Sequence, residues 1–512
     1  MKEDLRMSVP GQFTGYDLSD ITPLCMPWEE VNGLLQPAFS RDMAMLSLEL
    51  AATAYNMDTD LWQKAGWRDF SYQVDNKLLT GQAVNNTEGG GPVDELMSEY
   101  YQQLAKMRLK RKNPISQIMG TLRQREGSDT CKALVMLHPL WSGQYLAAVG
   151  FMGTGKRVYD WISNFRVNRA NQMHDGFLQL TKQFEENCEA IQFPETAKDL
   201  GVDRLTFADI LKECRRPTSR FRIWMAGHSQ GGAIMQLFAF LAIQRGVLRQ
   251  NMIGVGFASP SVLYHHPPCE LAAFPLFHII NADDVFPRTG ALLHFGRCRI
   301  YYPDEEMRTR CYGHKGESEA FRALLAVTRN VTDSGGAFLT VLAVLLAIQD
   351  TAHGETLAAL NRLMGSFLPN RILSAFSGRG DDLLRFLIRK VKQGYTLASG
   401  NETPPQQTLS ALQYRVSLLI KAYGSKTFSM AFLSALALPH KLCGPVGTNA
   451  LASYQYIVTE RFGALQPKTW CAPASRMEPG VRSGIKHFPG RRAGLSRRTN
   501  RLAMQRQRRR NV

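Results

Sequence analysis

Apolar and polar positions alternate with two different periods along this chain, and the change of period divides it. Near the amino end, RDMAMLSLELAATAYN is apolar on nearly every face; with Ser40 before it as N-cap and Asp42 in its first turn, it reads as a buried helix. TEGGGPVDE, Thr87 to Glu95, has three adjacent glycines and no apolar pattern, so it reads as a flexible loop before a helix that starts near Pro92. From Cys131 onward short apolar runs alternate with longer helical patterns, the signature of a mainly parallel sheet covered by helices. Strands are predicted at Ala133 to Leu137, Tyr145 to Phe151, Arg222 to Ala226, Ile253 to Ala258, Leu276 to Ile280 and Arg299 to Tyr302. His174 to Asn187 and Gly231 to Gln244 carry apolar residues at helical spacing. After about residue 370 the pattern is helical only, as in DDLLRFLIRKVKQGY and LSALQYRVSLLIKAYG, with NETPPQQT breaking it between them.

The predicted organisation follows from that pattern. Residues 1–115 form a mostly helical segment packed on the core, 116–365 the α/β core, 366–460 a helical region and 461–512 a basic tail. The fold class is therefore α/β, with a mainly parallel central sheet and helical additions at both ends.

Composition changes this picture in three places. Hydrophobic residues make up 44% of the 512, enough to fill a large core. The net charge of +17 is concentrated at the end: from Arg461 onward fourteen Lys or Arg face Glu478 alone. Such a tail is expected to be disordered; contact with anionic membrane surface ranks next, and sequence-independent nucleic-acid binding last. The nine cysteines include no C-x-x-C pair, so neither a disulfide framework nor a zinc site is indicated. The opening residues show no secretory pattern, and the longest apolar run, Ala337 to Ile348, is short of the roughly 20 residues a spanning helix requires, so a cytoplasmic location is expected.

The chemistry centres on FRIWMAGHSQGGAIMQLFAFLAIQ, where an apolar strand runs into Gly227, His228, Ser229, Gln230 and Gly231 and then a long apolar helix. This is G-x-S-x-G in the strand-turn-helix setting its mechanism requires. A serine on so tight a turn stands clear of both elements, the glycines let strand and helix approach, and the helix start directs free N–H groups at a developing oxyanion. Ser229 is thus the candidate nucleophile of an ester hydrolase. Two other readings compete. One is a hydrolase fold without catalysis, used for binding lipid or a partner. The other is a nucleotide-binding loop, because Gly150 to Lys156 fits G-x-x-x-x-G-K; that reading falters at Arg157, where a Mg²⁺-binding hydroxyl is needed.

With the nucleophile placed, five ordered segments resemble the class 3 lipase family, which includes fungal triacylglycerol lipases. GFMGTGKRVYDWISNF is similar to the family's Phe-Arg-Gly-Thr stretch and HDGFLQLTKQF to its His-x-Gly-Phe helix start. GHSQGGA is similar to its elbow, GFASPSV to its Phe-Gly-x-Pro-x-Val segment, and NADDVFPR to the piece that supplies the acid. Met152 stands where the family has Arg, and Phe286 where it has Val. The resemblance implies an α/β-hydrolase fold acting on lipid or other carboxylic esters through an acyl-enzyme, with no metal or organic cofactor. It implies Asp284 as the acid, with Asp283 left as an exposed turn residue, and oxyanion donors at Thr154 and Gln230. It also implies a lid carrying Val158, Trp161, Ile162 and Phe165 on one helical face.

The base must follow residue 284 in the order Ser, Asp, His, which leaves His294, His314, His353, His440 and His487. IQDTAHGETLAALNRL resembles the family's final Asp and His at a helix start, so His353 is preferred, with His314 in CYGHKGE as runner-up.

Overall fold

In the computed structural model of the chain, the residues described are 8–25, 28–31, 34–74, 77–80, 131–153, 173–263, 271–284, 286–288, 293–313, 321, 438–444 and 451–467. They contain strands β1 (Trp28–Val31) and β2 (Leu34–Pro37), helices α1 (Arg41–Asn56) and α2 (Asp60–Lys64), and strands β3 (Arg68–Val74), β4 (Lys77–Thr80), β5 (Ala133–Pro139) and β6 (Tyr145–Phe151). Helices α3 (Asp175–Glu186), α4 (Pro194–Leu200) and α5 (Phe207–Glu213) follow, then β7 (Phe221–His228), α6 (Gln230–Gln244), β8 (Met252–Phe257), β9 (Leu276–Asn281) and β10 (Arg297–Tyr301). The last elements are α7 (Glu305–Tyr312), α8 (Ser453–Glu460) and the two-residue β11 (Gln466–Pro467).

Nine strands form one sheet in the order β11-β10-β9-β8-β7-β6-β5-β3-β4. β6 to β10 are parallel, as the alternation of apolar runs and helical patterns predicts, whereas β3, β4, β5 and β11 pair antiparallel at the two sides. This is the sheet of an α/β-hydrolase. The amino-terminal stretch therefore supplies strands as well as helices to the described fold.

The parallel strands and the adjacent β5 are buried on both faces, so they read as continuous apolar runs; their side chains nonetheless alternate between two cores. Leu134, Met136, Leu146, Ala148, Trp224 and Ala226 enter one core, with α1 and α8. Ala133, Val135, Ala147, Val149, Ile223 and Met225 enter the other, with α3, α5 and α6. α1 begins as its sequence indicates: the Ser40 side chain accepts from the Met43 N–H at 3.1 Å, with Asp42 in the first turn.

Gly150 lies within β6, paired to Leu134 on one side and Ala226 on the other. The first position of the phosphate-loop pattern is thus a strand residue, and Lys156 and Arg157 lie outside the described residues. Among the described residues no helix is long and apolar enough to cross a membrane, and no His, Cys, Asp and Glu cluster could hold a metal ion. The run Ala337 to Ile348, the helical patterns of 371–437 and the tail from 468 onward lie outside them.

Candidate active site

The elbow is built where β7 ends and α6 begins. Ser229 occupies φ 54° and ψ −127°, a region costly for any residue with a Cβ, and such strain persists only where surrounding structure over-determines it. Here that structure is the sheet on one side and the helix on the other: the Ser229 N–H donates to the Phe257 carbonyl at 2.9 Å, and its own carbonyl accepts from Gly232 at 2.9 Å. Close approach also requires the glycine at 231, since a Cβ there would lie 2.1 Å from the carbonyl oxygen of Phe151. Gln230 is the first residue of α6 and is buried, so its N–H belongs to the positive end of the helix.

The loop carrying Asp284 follows β9. Asp284 is fully buried and its N–H donates to the Asn281 carbonyl at 2.9 Å. Oδ1 accepts from the Phe286 N–H at 2.9 Å, and Oδ2 accepts from the Tyr454 hydroxyl at 2.8 Å and from His440 Nδ1 at 2.9 Å. Burial and the Asp284 charge push the Tyr454 phenol far above its ordinary range, so it remains a donor. Asp283 corrects its sequence expectation. It is buried rather than an exposed turn residue, and its carboxylate is held by Arg308 of α7, Nε to Oδ2 at 2.9 Å.

His440 ends a short 3-10 turn, Leu438–His440, 156 residues beyond Asp284. Asn281 pins that turn to the end of β9 by donating from Nδ2 to the Pro439 carbonyl at 3.2 Å. Phe286 packs on the imidazole with ring centroids 4.1 Å apart. His228, the residue before Ser229, packs on its other side at 4.6 Å and contacts the His440 carbonyl through Nε2 at 2.9 Å.

Ser229, Gln230, Gly227, His228, Gly231 and Asp284 are thus gathered at the carboxyl ends of β7 and β9, which flank β8, where sites of open α/β sheets collect. His294 instead holds the Ser259 carbonyl through Nε2 at 2.8 Å. Thr154, the lid residues Val158, Trp161, Ile162 and Phe165, and His314, His353 and His487 lie outside the described residues. Sequence reasoning named His440 only as one of five candidates and missed Tyr454. Neither sits in a motif, and only the fold brings them to Asp284.

Two buried histidines give the fold a predictable response to acid. Burial lowers His278, on β9, to about 4, and burial with the neighbouring His440 lowers His228 well below its ordinary value. Below the unfolded value of about 6.5 the unfolded chain binds protons that these folded groups refuse. Their contribution is therefore fully present above that pH and is lost as pH falls, by about 1.4 kcal/mol per pH unit per histidine. Glu49, whose burial raises its pKa, acts in the opposite sense. Urea midpoints are expected to fall between about pH 7 and 5, and less steeply in His278→Gln, which keeps a donor for the Phe295 carbonyl.

Comparison with known proteins bears on the same segment. Residues 148–293 match the family described as Lipase (class 3). Among solved structures, one described as a triacylglycerol lipase with a serine protease triad as its catalytic centre is 18% identical, covering 34% of this chain and 63% of that one, with a TM-score of 0.25. A Rhizomucor miehei lipase–propeptide complex is 19% identical over 33% of this chain and 52% of that one, with a TM-score of 0.23. A deletion mutant of the latter is 16% identical over 45% and 74%, with a TM-score of 0.24. This chain thus spans less than two thirds of the first two. No curated protein matches. The residues matched to the class 3 lipase family, 148–293, carry both the turn at Ser229 and the loop of Asp284.

Proposed function

We propose that the chain is a serine-dependent hydrolase of carboxylic esters, with lipid esters as its substrate class. The observation that carries this reading is the buried Asp284–His440 pair, packed against His228, the residue before a serine held on a strained strand-to-helix turn.

Ser229 Oγ attacks the ester carbonyl while His440 takes its proton through Nε2. The Nδ1–H bond to Asp284 fixes that tautomer and stabilises the imidazolium that forms. The oxyanion meets the N–H of Gln230 at the helix start and, on the family resemblance, that of Thr154; removing one such donor typically costs about 10² to 10³ in rate. Collapse of the tetrahedral intermediate breaks the ester bond, and His440 returns its proton to the departing alcohol. Water then attacks the acyl-enzyme with His440 as base and releases the acid. In this reading His440 replaces His353. The lid at 158–165 would expose its apolar face to a lipid surface, and the basic stretch 461–512 would add contact with anionic headgroups.

The test is an assay of the purified full chain on a short-chain chromogenic ester and on emulsified triacylglycerol, with Asp284→Asn beside it. Hydrolysis by the parent and a loss of about 10⁴ in kcat in the variant are expected, because the base loses the partner that sets its tautomer. A parent chain inactive on both substrates overturns the reading.

A further inference from the structure

A hydrogen-bonded chain outside the triad links three parts of the site. Tyr55, in the last turn of α1, places its hydroxyl 2.7 Å from His228 Nδ1, and the same hydroxyl accepts from the Gly153 N–H. A Cβ on Gly153 would lie 2.1 Å from that hydroxyl, 2.6 Å from the His228 carbonyl and 3.2 Å from the Ser229 Cβ, so the strand end leading to Thr154 is packed directly against the elbow. On its far side His228 Nε2 lies 2.9 Å from the carbonyl oxygen of His440.

The direction of each bond follows from the last one. A carbonyl oxygen only accepts, so His228 Nε2 carries the hydrogen, and in the neutral ring Nδ1 then accepts from the Tyr55 hydroxyl. The order is Gly153 N–H to Tyr55 O–H to His228, then His228 Nε2–H to His440. A buried histidine with both nitrogens satisfied is ordinarily just a well-packed core residue. Here the chain ends instead on the backbone of the base, and the two imidazoles pack at 4.6 Å with their planes tilted by 41°.

We infer that Tyr55 and His228 are positioning residues for the ester hydrolysis proposed above, fixing the backbone of His440 relative to Ser229 and to the strand end before Thr154. The inference rests on His440 being the base. It gives α1, which lies outside the segment matched to the lipase family, a part in the site. Groups facing His228 are Tyr55 from α1, His440 from the 3-10 turn and Tyr454 from α8, whose ring centroid is 6.1 Å away. None is an anion that would favour a charged His228: burial raises both tyrosines, and the Asp284 carboxylate bonds the other side of His440.

The test uses the full chain with nitrogen-15 histidine, and Tyr55→Phe, His228→Asn and His228→Gln. Parent spectra, with His228 assigned by its loss in His228→Gln, are expected to show a neutral Nε2–H ring that does not titrate between about pH 5 and 8. Tyr55→Phe and His228→Asn should lower kcat about tenfold to a hundredfold with KM little changed, the scale of a misplaced catalytic group. His228→Gln, whose amide can still donate to the His440 carbonyl, should recover most of that loss. A His228 that titrates in that range or carries its proton on Nδ1 overturns the inference. So do folded variants that turn over like the parent. If the parent neither hydrolyses esters nor labels at Ser229, the hydrolase reading fails separately, while the His228 spectrum still decides the hydrogen-bond chain.

Discussion

Replacing His440 by alanine is expected to lower kcat/KM for ester hydrolysis by about a millionfold, whereas His353→Ala changes it less than about threefold. The difference arises from geometry. Asp284 Oδ2 receives the Nδ1–H of His440 at 2.9 Å within a pocket closed by Phe286, His228 and Tyr454, and the turn carrying His440 is pinned to β9 through Asn281. A serine without its base remains a weakly nucleophilic alcohol, so loss of either member costs nearly as much as loss of both. Steady-state kinetics of the two variants on one soluble ester decides it. Activity retained in His440→Ala and lost in His353→Ala would return the base to His353.

Ser229→Ala is expected to reduce kcat to a similar floor while leaving the unfolding midpoint almost unchanged. Alanine keeps the Cβ, so the positive φ at 229 and the backbone bonds to Phe257 and Gly232 persist; only the hydroxyl is lost. The stability change should stay within about 0.5 kcal/mol, as for substitutions that create no cavity and bury no new polar group. Kinetics paired with a denaturation curve separates lost chemistry from lost fold. An alanine variant as active as the parent would place the nucleophile elsewhere.

What the sequence disclosed and what it withheld have a common physical cause. The six core strands and the helix after Ser229 are local: each is a run of apolar residues whose period reports its environment, and the elbow is a turn whose glycines are dictated by atoms within a few residues or on the next strand. The place of the Asp284 loop was legible for the same reason, since it follows directly from β9. The histidine bonded to Asp284 was not, because nothing near His440 in ALALPHKLCG announces a site. Its assignment depends on 156 residues of intervening chain returning to the sheet. β3 was hidden as well. Its run RDFSYQV mixes charged and apolar residues, and one strong cause is Asp69, which adopts φ 53° beside an irregularity in the pairing with β5 and turns its carboxylate to the N–H groups of Glu195 and Thr196. Asp283 misled in the opposite direction: an aspartate in a loop reads as solvated, and only the fold brings Arg308 to it.

The measurement that bears most directly on the central claim is treatment of the purified full chain with a fluorophosphonate, followed by peptide mass spectrometry to locate the adduct. The account predicts one phosphonylated residue, Ser229, with labelling lost in His440→Ala and kept in His353→Ala. An unlabelled chain, or an adduct on another serine, would contradict it.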